Sequence, residues 1–239
     1  MYLTRFAFNR QRRGARELLA SPYKMHAAVE SCFPPPGMPT GAGKPAGAPD
    51  DPRVLWRVDF NPSSTLLYLV SPALPDLTHL VEQAGWPAAG QGWETRDYSR
   101  LLDGLQVGQT WAFRLTANPV RRVRLDYLAP SGQPGPGALV GKRVGHVTVG
   151  RQTDWLVTRA SKLGFALPLS EGLPQLAVTS RQKRQFAHGP RGRVTITMAT
   201  FDGVLTVEDP AALRRALVGG IGPGKAFGCG LMTLARVPG

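Results

Sequence analysis

The sequence indicates the same order of strands and helices twice, on either side of a segment that cannot form regular structure. That segment, APSGQPGPGA at 129–138, is rich in glycine, proline and small residues, which is typical of a linker. A second such segment, at 34–52, has almost nothing to bury and predicts a mobile loop. The 239 residues suffice for one large domain or two small ones. We therefore predict domains at 1–128 and 140–239, joined by a linker at 129–139.

The first half has the pattern strand, helix, strand, strand, helix, strand. The segments are YLTRFAF (2–8), RRGARELLA and PYKMHAAVESCF (12–20 and 22–33), RVLWRVDF (53–60), STLLYLVS (64–71), a less regular helical region (76–104) and QTWAFRLTANPVRR (109–122). Alternating apolar residues favour the strands. Ser21 followed by Pro22 is typical of a helix N-cap and first helical position.

The second half repeats this order. Its segments are KRVGHVTV (142–149), the helix RQTDWLVTRASKLG (151–164), two or three strands in LAVTSRQKRQFAHG and GRVTITMATFDGVLTVED, the helix DPAALRRALVGG (209–220) and GLMTLARV (230–237). Gly164 is expected to end the first helix and Asp209 to cap the second. The βαββαβ order in both halves predicts an α+β fold of two tandem ferredoxin-like domains.

The charge of the chain indicates a polyanionic partner. The net charge is +13 and the isoelectric point about 10.7, and such an excess attracts phosphate by its long-range field. Residues 140–239 contain 14 Lys and Arg against 5 Asp and Glu, whereas residues 1–139 contain 15 against 11. The second half is therefore expected to carry most of the binding.

The remaining composition argues for a reduced protein without a bound metal. Cys32 and Cys229 form no CxxC pair, and the four histidines have no metal-ligand spacing. No apolar run approaches the roughly 18 residues of a membrane span, and the start of the chain is not typical of a signal peptide. We expect a cytoplasmic protein, monomeric when isolated, with no metal, no cofactor and no membrane association.

The segment GIGPGKAFGCG (220–230) has the most specific pattern in the chain. Gly219, Gly224 and Lys225 match the phosphate-binding pattern GxxxxGK, but Ala226 stands where that motif needs Ser or Thr. The predicted loop also follows a helix and precedes a strand, which is the reverse of a P-loop. Two interpretations are left, a turn that permits close packing and a backbone cradle for an anion.

The glycine pattern resembles the G-loop of the RAMP proteins of CRISPR systems. Together with MYLTRFAFN at the start, SPYKMH at 21–26 and RLTANPVRR at 114–122, it makes nearly the whole chain resemble the CasE family, the repeat-RNA endonuclease of the type I-E Cascade complex. The resemblance implies two ferredoxin-like domains and metal-independent cutting of precursor CRISPR RNA at the 3′ base of the repeat hairpin. Attack by a 2′-OH would leave a 2′,3′-cyclic phosphate and a 5′-OH. The resemblance also implies that the enzyme stays on its product with other Cascade subunits.

The resemblance assigns catalysis to His26 and Tyr23. Residues three apart share a helix face, and histidine, which changes charge near neutrality, suits a proton transfer. The sequence leaves open which side chain is acid or base, and whether the pair mainly holds the RNA for in-line attack. Without the resemblance, a solvent-facing histidine and a half-buried tyrosine would be the simpler interpretation. His146 and His188 are weaker alternatives.

The resemblance also places Arg181, Lys183 and Arg184, in TSRQKRQ of a predicted hairpin, against the RNA stem; a charged edge that discourages sheet pairing is the alternative. Further candidates for RNA contacts are Arg12, Arg13, Lys24, Arg121, Arg122, Gly222, Gly224 and Lys225. Two other functions stay open, a RAMP-type subunit that binds guide RNA without cutting it and an unrelated basic RNA-binding protein.

Overall fold

The computed structural model of the protein describes residues 1–34, 53–87, 92–122, 143–187 and 193–237. The predicted linker 129–139, the predicted boundary at 128, residues 35–52 of the predicted loop and His188 lie outside these ranges. Among the described helices, none is long and apolar enough to cross a membrane.

The described chain contains six α-helices and 13 strands. The helices are α1 (Arg13–Ala20), α2 (Pro22–Glu30), α3 (Thr78–Ala84), α4 (Ser99–Asp103), α5 (Val149–Ala160) and α6 (Pro210–Gly219). The strands are β1 (Tyr2–Ala7), β2 (Leu55–Phe60), β3 (Thr65–Ser71), β4 (Trp93–Asp97), β5 (Thr110–Ala117), β6 (Val120–Arg122), β7 (Arg143–Gly145), β8 (Phe165–Ala166), β9 (Leu169–Ser170), β10 (Leu173–Pro174), β11 (Leu176–Ala187), β12 (Arg193–Val207) and β13 (Met232–Ala235).

The first unit is an antiparallel sheet of order β2-β3-β1-β4. Helices α1 and α2 connect β1 to β2, and α3 connects β3 to β4, which is the ferredoxin-like βαββαβ order. Apolar residues of β1 and β3, such as Phe6 and Leu67, are buried against Leu18, Met25 and Leu80 of the three helices. This core fixes α2 on the first sheet.

The second unit has the same topology, with sheet order β11-β12-β5-β13. Helix α5 lies between β5 and β11 in the chain, and α6 lies between β12 and β13. Asp209 accepts a hydrogen bond from the Ala212 N–H at the start of α6, and Gly164 takes a left-handed conformation after the short 3₁₀ helix that follows α5. The predicted cap at Asp209 and the tandem ferredoxin-like fold are confirmed, whereas α5 ends at Ala160 and Gly164 ends the 3₁₀ turn that follows it.

The prediction for 109–122 was wrong in one respect. We predicted this segment as the last strand of the first unit, but β5 pairs with β12 and β13 and is the first strand of the second sheet. The fourth strand of the first sheet is β4, within the region 76–104 that was predicted as helical. Strand β4 is mostly exposed, so its sequence, WETRD, has no apolar alternation that would indicate a strand.

The predicted strand 142–149 is also shorter than expected. Among its described residues only Arg143–Gly145 forms a strand, which pairs with β6 outside the two large sheets. Helix α5 begins at Val149, with the Thr148 side chain accepting a hydrogen bond from the Arg151 N–H. The N-cap therefore ends the extended segment three residues after β7.

The two units share a core. Leu55 and Val70 of the first sheet are buried in one cluster with Phe201 of β12 and Leu217 of α6. Burial of apolar surface is the main favourable term in folding, so this shared cluster holds the sheets together. Both cysteines are buried free thiols, as their interpretation as small hydrophobic residues predicted.

Candidate functional site

Helix α2 presents Tyr23 and His26 on its outer face. Pro22, Met25 and Val29 are buried on the inner face, so the residues one position later in the chain lie on the next face of the helix. The helix begins where predicted, because the Ser21 side chain accepts a hydrogen bond from the Lys24 N–H. Tyr23 is 44% exposed.

A carboxylate lies beside His26, one turn further along α2. Its Nδ1 lies 3.8 Å from Oε1 of Glu30, and its side chain is 34% exposed. Nδ1 is shielded from solvent and has no hydrogen-bond partner among the described residues. The other ring nitrogen, Nε2, is therefore the one available to an RNA ligand. This position of Glu30 beside the ring was not predicted from the sequence.

The predicted basic hairpin is β11 with β12, paired antiparallel along most of their length. Arg184 does not extend into solvent as Lys183 does. Its Nη2 donates to the carbonyl of Leu19 at 2.9 Å and of Ala20 at 3.5 Å, at the end of α1. Burial lowers the pKa of its guanidinium. The hairpin is thus attached to the chain just before Tyr23.

The residues of β11 alternate between two directions, as in any strand. Arg184 and Gln182 line a cavity beside α1 and α2. Arg181 is exposed, and its Nη1 donates to the carbonyl of Val147, just before α5. Arg181 and Lys183 are therefore the two predicted stem contacts that are exposed for an RNA ligand.

The glycine loop, residues 220–230, has five glycines with φ between 76° and 95°. Such values let the loop close on itself, and the Ile221 N–H donates to the carbonyl of Gly230 at 2.9 Å. Residues Lys225–Phe227 form a short 3₁₀ helix that contacts α2. The rings of Phe227 and Phe186 of β11 lie 4.9 Å apart. The fold thus brings the glycine loop, the hairpin and α2 together.

A cavity of about 260 Å³ lies between α1, α2, β2, β11, β12 and the glycine loop. Its wall contains an ionic network that joins the two units. The buried Arg57 of β2 donates to both Asp59 carboxylate oxygens, at 2.7 and 2.9 Å. It also donates to the carbonyls of Arg114 and Leu231 and to the Thr233 hydroxyl. All N–H groups of this buried guanidinium therefore have acceptors.

The network continues into the second sheet. Arg114 Nη1 lies 3.6 Å from Asp59 Oδ2, and its Nε and Nη2 donate to Asp202 at 2.6 and 2.9 Å. The hydrogen bond from Arg114 to Asp202 is the main reason that the pKa of Arg114 is raised. Arg114 belongs to RLTANPVRR, a motif of the family resemblance, and no role for it was predicted from the sequence.

The predicted phosphate contacts near the start of the chain lie in different surroundings. Arg12 Nη1 donates to the carbonyls of Val81 and Gly85 at the end of α3. Arg13 is 88% exposed and pairs with Glu17, and Lys24 Nζ lies 3.4 Å from the same carboxylate. Arg13 and Lys24 are thus exposed near α2, whereas Arg12 supports the packing of α3.

The other predicted contacts lie on the second unit. Arg121 and Arg122 are exposed on β6, and Gly222 and Lys225 line a second cavity of the glycine loop. Gly224 precedes the 3₁₀ helix, with φ 89°. Burial lowers the pKa of His146, with further contributions from nearby arginines. His146 follows β7 and, contrary to prediction, is not part of a strand.

The described residues contain no group of three or more His, Cys, Asp or Glu that could hold a metal ion. The carboxylate of Glu17, beside α2, lies between the cations of Arg13 and Lys24. What the site offers near Tyr23 is one histidine, one phenol and exposed cations. Such a set can orient a phosphodiester and transfer protons.

The chain is similar to known proteins over nearly its whole length. A family model described as CRISPR associated protein matches residues 1–236. The CRISPR-associated endoribonuclease Cse3 of Thermus thermophilus is 30% identical over 241 residues, which cover 98% of this chain and 100% of Cse3. The CRISPR system Cascade subunit CasE of Escherichia coli is 35% identical over 136 residues, which cover 55% of this chain and 60% of CasE.

Solved structures of Cse3 also match this chain over nearly its whole length. Cse3 bound to a 19-nucleotide RNA matches with a TM-score of 0.72 at 26% identity, covering 99% of this chain and 100% of that one. Cse3 bound to an RNA representing a pre-cleavage complex matches with a TM-score of 0.71 at 27% identity, covering 98% of each chain. The chain belongs to the family of CRISPR-associated proteins that includes Cse3 and CasE.

Proposed function

We propose that this protein is an endoribonuclease that binds the hairpin of a CRISPR repeat and cuts precursor CRISPR RNA at the 3′ base of the stem. The observation that carries this proposal is that Tyr23 and His26 share one exposed face of α2, beside the basic hairpin and the glycine loop. Relatives named as CRISPR-associated endoribonuclease and as Cascade subunit support it.

In the proposed reaction the 2′-oxygen of one nucleotide attacks the adjacent phosphorus. The 2′-hydroxyl gives up its proton, the bond from phosphorus to the 5′-oxygen breaks, and the leaving oxygen takes up a proton. Nε2 of His26 exchanges one of these protons, because Nδ1 is shielded and faces Glu30. The Tyr23 hydroxyl donates a hydrogen bond to the phosphate and holds it in line with the attacking oxygen.

Stem binding is assigned to Arg181 and Lys183, with Arg13 and Lys24 at the foot of the stem near α2. A-form RNA has a deep, narrow major groove, so binding depends on stem shape and phosphates more than on bases. We further propose that the protein works in the cytoplasm and keeps its cut product as a subunit of the Cascade complex, as CasE is named.

The test uses purified protein and its own repeat RNA in EDTA, with end-group analysis of the products. We expect cutting in chelator, a 5′-OH on the downstream fragment and a 2′,3′-cyclic phosphate on the upstream one. A 2′-deoxy substitution before the cut should block the reaction while binding persists. A 5′-phosphate product would contradict the proposed attack, and tight binding of uncut RNA would indicate a guide-RNA-binding subunit without catalysis.

Substitution of histidine separates catalysis from binding. His26→Ala should abolish cutting but leave hairpin affinity within a few fold, whereas His146→Ala should still cut. If His26→Ala cuts at the normal rate, the assignment of His26 is wrong.

A further inference from the structure

The glycine loop borders two separate cavities. Phe227 and Gly228 line the one beside α1 and α2. Gly222, Pro223 and Lys225 line another, of about 410 Å³, against β6, β7 and α5. No described residue lines both cavities. The second cavity is therefore a distinct concave surface, connected to the proposed cleavage site by the loop itself.

The second cavity is strongly cationic. Besides Lys225 it is lined by Arg143 of β7 and Arg159 of α5, and none of the lining residues that the structure describes is acidic. Like charges that face one space repel each other, so a bound anion is favoured there. The apolar side chains of Val120 and Trp155 also line this cavity, beside the cations.

Arg159 is held in place rather than free in solution. Its guanidinium lies over the Trp155 ring, 4.7 Å from the ring centroid, and its Nη1 donates to the Trp155 carbonyl at 2.7 Å. Burial lowers the pKa of this guanidinium, as expected for a cation that has lost some of its hydration. A cation fixed in this way loses little conformational entropy when it binds a ligand.

The shape of the cavity distinguishes single-stranded from double-stranded RNA. An A-form stem presents its phosphates on a rigid, convex surface, which does not enter a concavity of this size. A single strand bends locally and places successive phosphates into a cationic groove.

We propose that this second cavity binds the phosphodiester backbone of single-stranded RNA that adjoins the hairpin, with Arg143, Arg159 and Lys225 neutralising its phosphates. The inference rests on the proposed function, since it names a further part of the same RNA. Single-stranded RNA adjoins the stem on its 5′ side and, before cutting, on its 3′ side. Both share the same backbone chemistry.

The experiment compares three RNAs that cannot be cut because of a 2′-deoxy substitution: the hairpin alone, the hairpin with a 5′ extension and the hairpin with a 3′ extension. We expect one extension to tighten binding to the wild-type protein. We expect this gain in affinity to be about tenfold, because charge-assisted hydrogen bonds to phosphate are strong. The variant Arg143→Ala/Arg159→Gln should lose it. For the extended RNA, the slope of log binding constant against log salt concentration should become shallower by about 1.4 in this variant. This value corresponds to two lost phosphate contacts at about 0.7 each on a single strand.

Arg215→Ala, an exposed arginine of α6, serves as the matched control and should keep the gain. Arg143→Ala alone, at an exposed position of β7, leaves the contact between Arg159 and Trp155 intact. This variant should lose part of the gain in affinity. If neither extension tightens binding, or if the double variant keeps the full gain, the inference is wrong. Failure of the protein to bind even the hairpin would instead overturn the proposed function.

Discussion

Arg184 Nη2 donates a hydrogen bond of 2.9 Å to the backbone carbonyl of Leu19. The bond runs from the basic hairpin to the last turn of α1, shortly before α2 begins at Pro22. Carbonyl groups at a helix C-terminus carry partial negative charge, which favours a cation there. Arg184 therefore ties the proposed stem-binding strand to the end of α1, directly before the helix that presents Tyr23 and His26.

We expect Arg184→Gln to affect cutting more than binding. Loss of the bond frees the hairpin from the end of α1, which leads directly into α2, and small displacements of reacting groups cost large factors in rate. The single-turnover rate at saturating protein should fall by roughly tenfold or more, while affinity changes by only a few fold. Lys183→Gln should show the opposite pattern, with weaker binding and a normal rate once bound. Equal losses of affinity in the two variants would contradict this role of Arg184.

The buried pair of Arg57 and Asp59 predicts a large loss of stability. Asp59→Ala leaves a guanidinium that is only 2% exposed without its carboxylate. Breaking such a pair costs about 3–5 kcal/mol of unfolding free energy. Urea denaturation measures the difference. Asp103→Ala is the control, because Asp103 is 74% exposed and pairs with Arg214 at 3.5 Å, so its loss should cost less than about 1 kcal/mol. Similar losses in both variants would contradict the prediction.

Asp202 makes stability depend on pH. Burial raises the pKa of its carboxyl, but hydrogen bonds from Arg114 and Thr179 outweigh that effect, so the pKa is lowered overall. The unfolded state then binds the proton more tightly, and the ionised carboxylate stabilises the fold above the ordinary pKa of about 4. This contribution is lost as the pH falls through the lower folded value.

Asp202→Asn should therefore melt at a lower temperature than the wild type at pH 7. The difference between the two melting temperatures should narrow as the pH falls below about 4, because the wild type loses its ionic contribution there. Thermal unfolding of both proteins at a series of pH values from 7 downward measures this difference. A gap that stays constant with pH would mean that the Asp202 charge does not stabilise the fold.

Local signals in the sequence predicted most elements but could not assign every strand to its sheet. Ser21 with Pro22 and Asp209 with Pro210 mark the two predicted helix starts, and both are confirmed. The alternation in β5 is the same whichever sheet it joins, because pairing partners are distant in the chain. The segment was therefore placed in the wrong unit.

The candidate site was predictable only where its residues are close in sequence. The spacing of three brings Tyr23 and His26 to one face of α2, and their catalytic role stays a prediction. The contacts of Arg184 and Arg12 could not be predicted, because both bind backbone carbonyls and any residue supplies a carbonyl. By contrast, Arg57 and Asp59 are two residues apart in a strand and therefore lie on the same side of it. This spacing is a signal in the sequence from which their pairing could have been predicted.

The last prediction concerns Gly228, where the glycine loop touches the first unit. Its φ is 80°, and a Cβ there would lie 2.7 Å from Cζ3 of the buried Trp56. A left-handed alanine costs about 1–2 kcal/mol, and overpacking adds about 1–3 kcal/mol. Gly228→Ala should thus lower the unfolding free energy by roughly 2–5 kcal/mol.

The same variant should cut more slowly, because the Lys225–Phe227 turn that contacts α2 must shift. Gly150→Ala is the matched control, since nothing described lies within 4 Å of its Cβ position and the residue is in the first turn of α5. That change should be neutral or stabilise the fold by up to about 1 kcal/mol. Denaturant unfolding and single-turnover cutting of both variants test the idea, and a Gly228→Ala protein as stable as the wild type would show that the loop does not need this close contact.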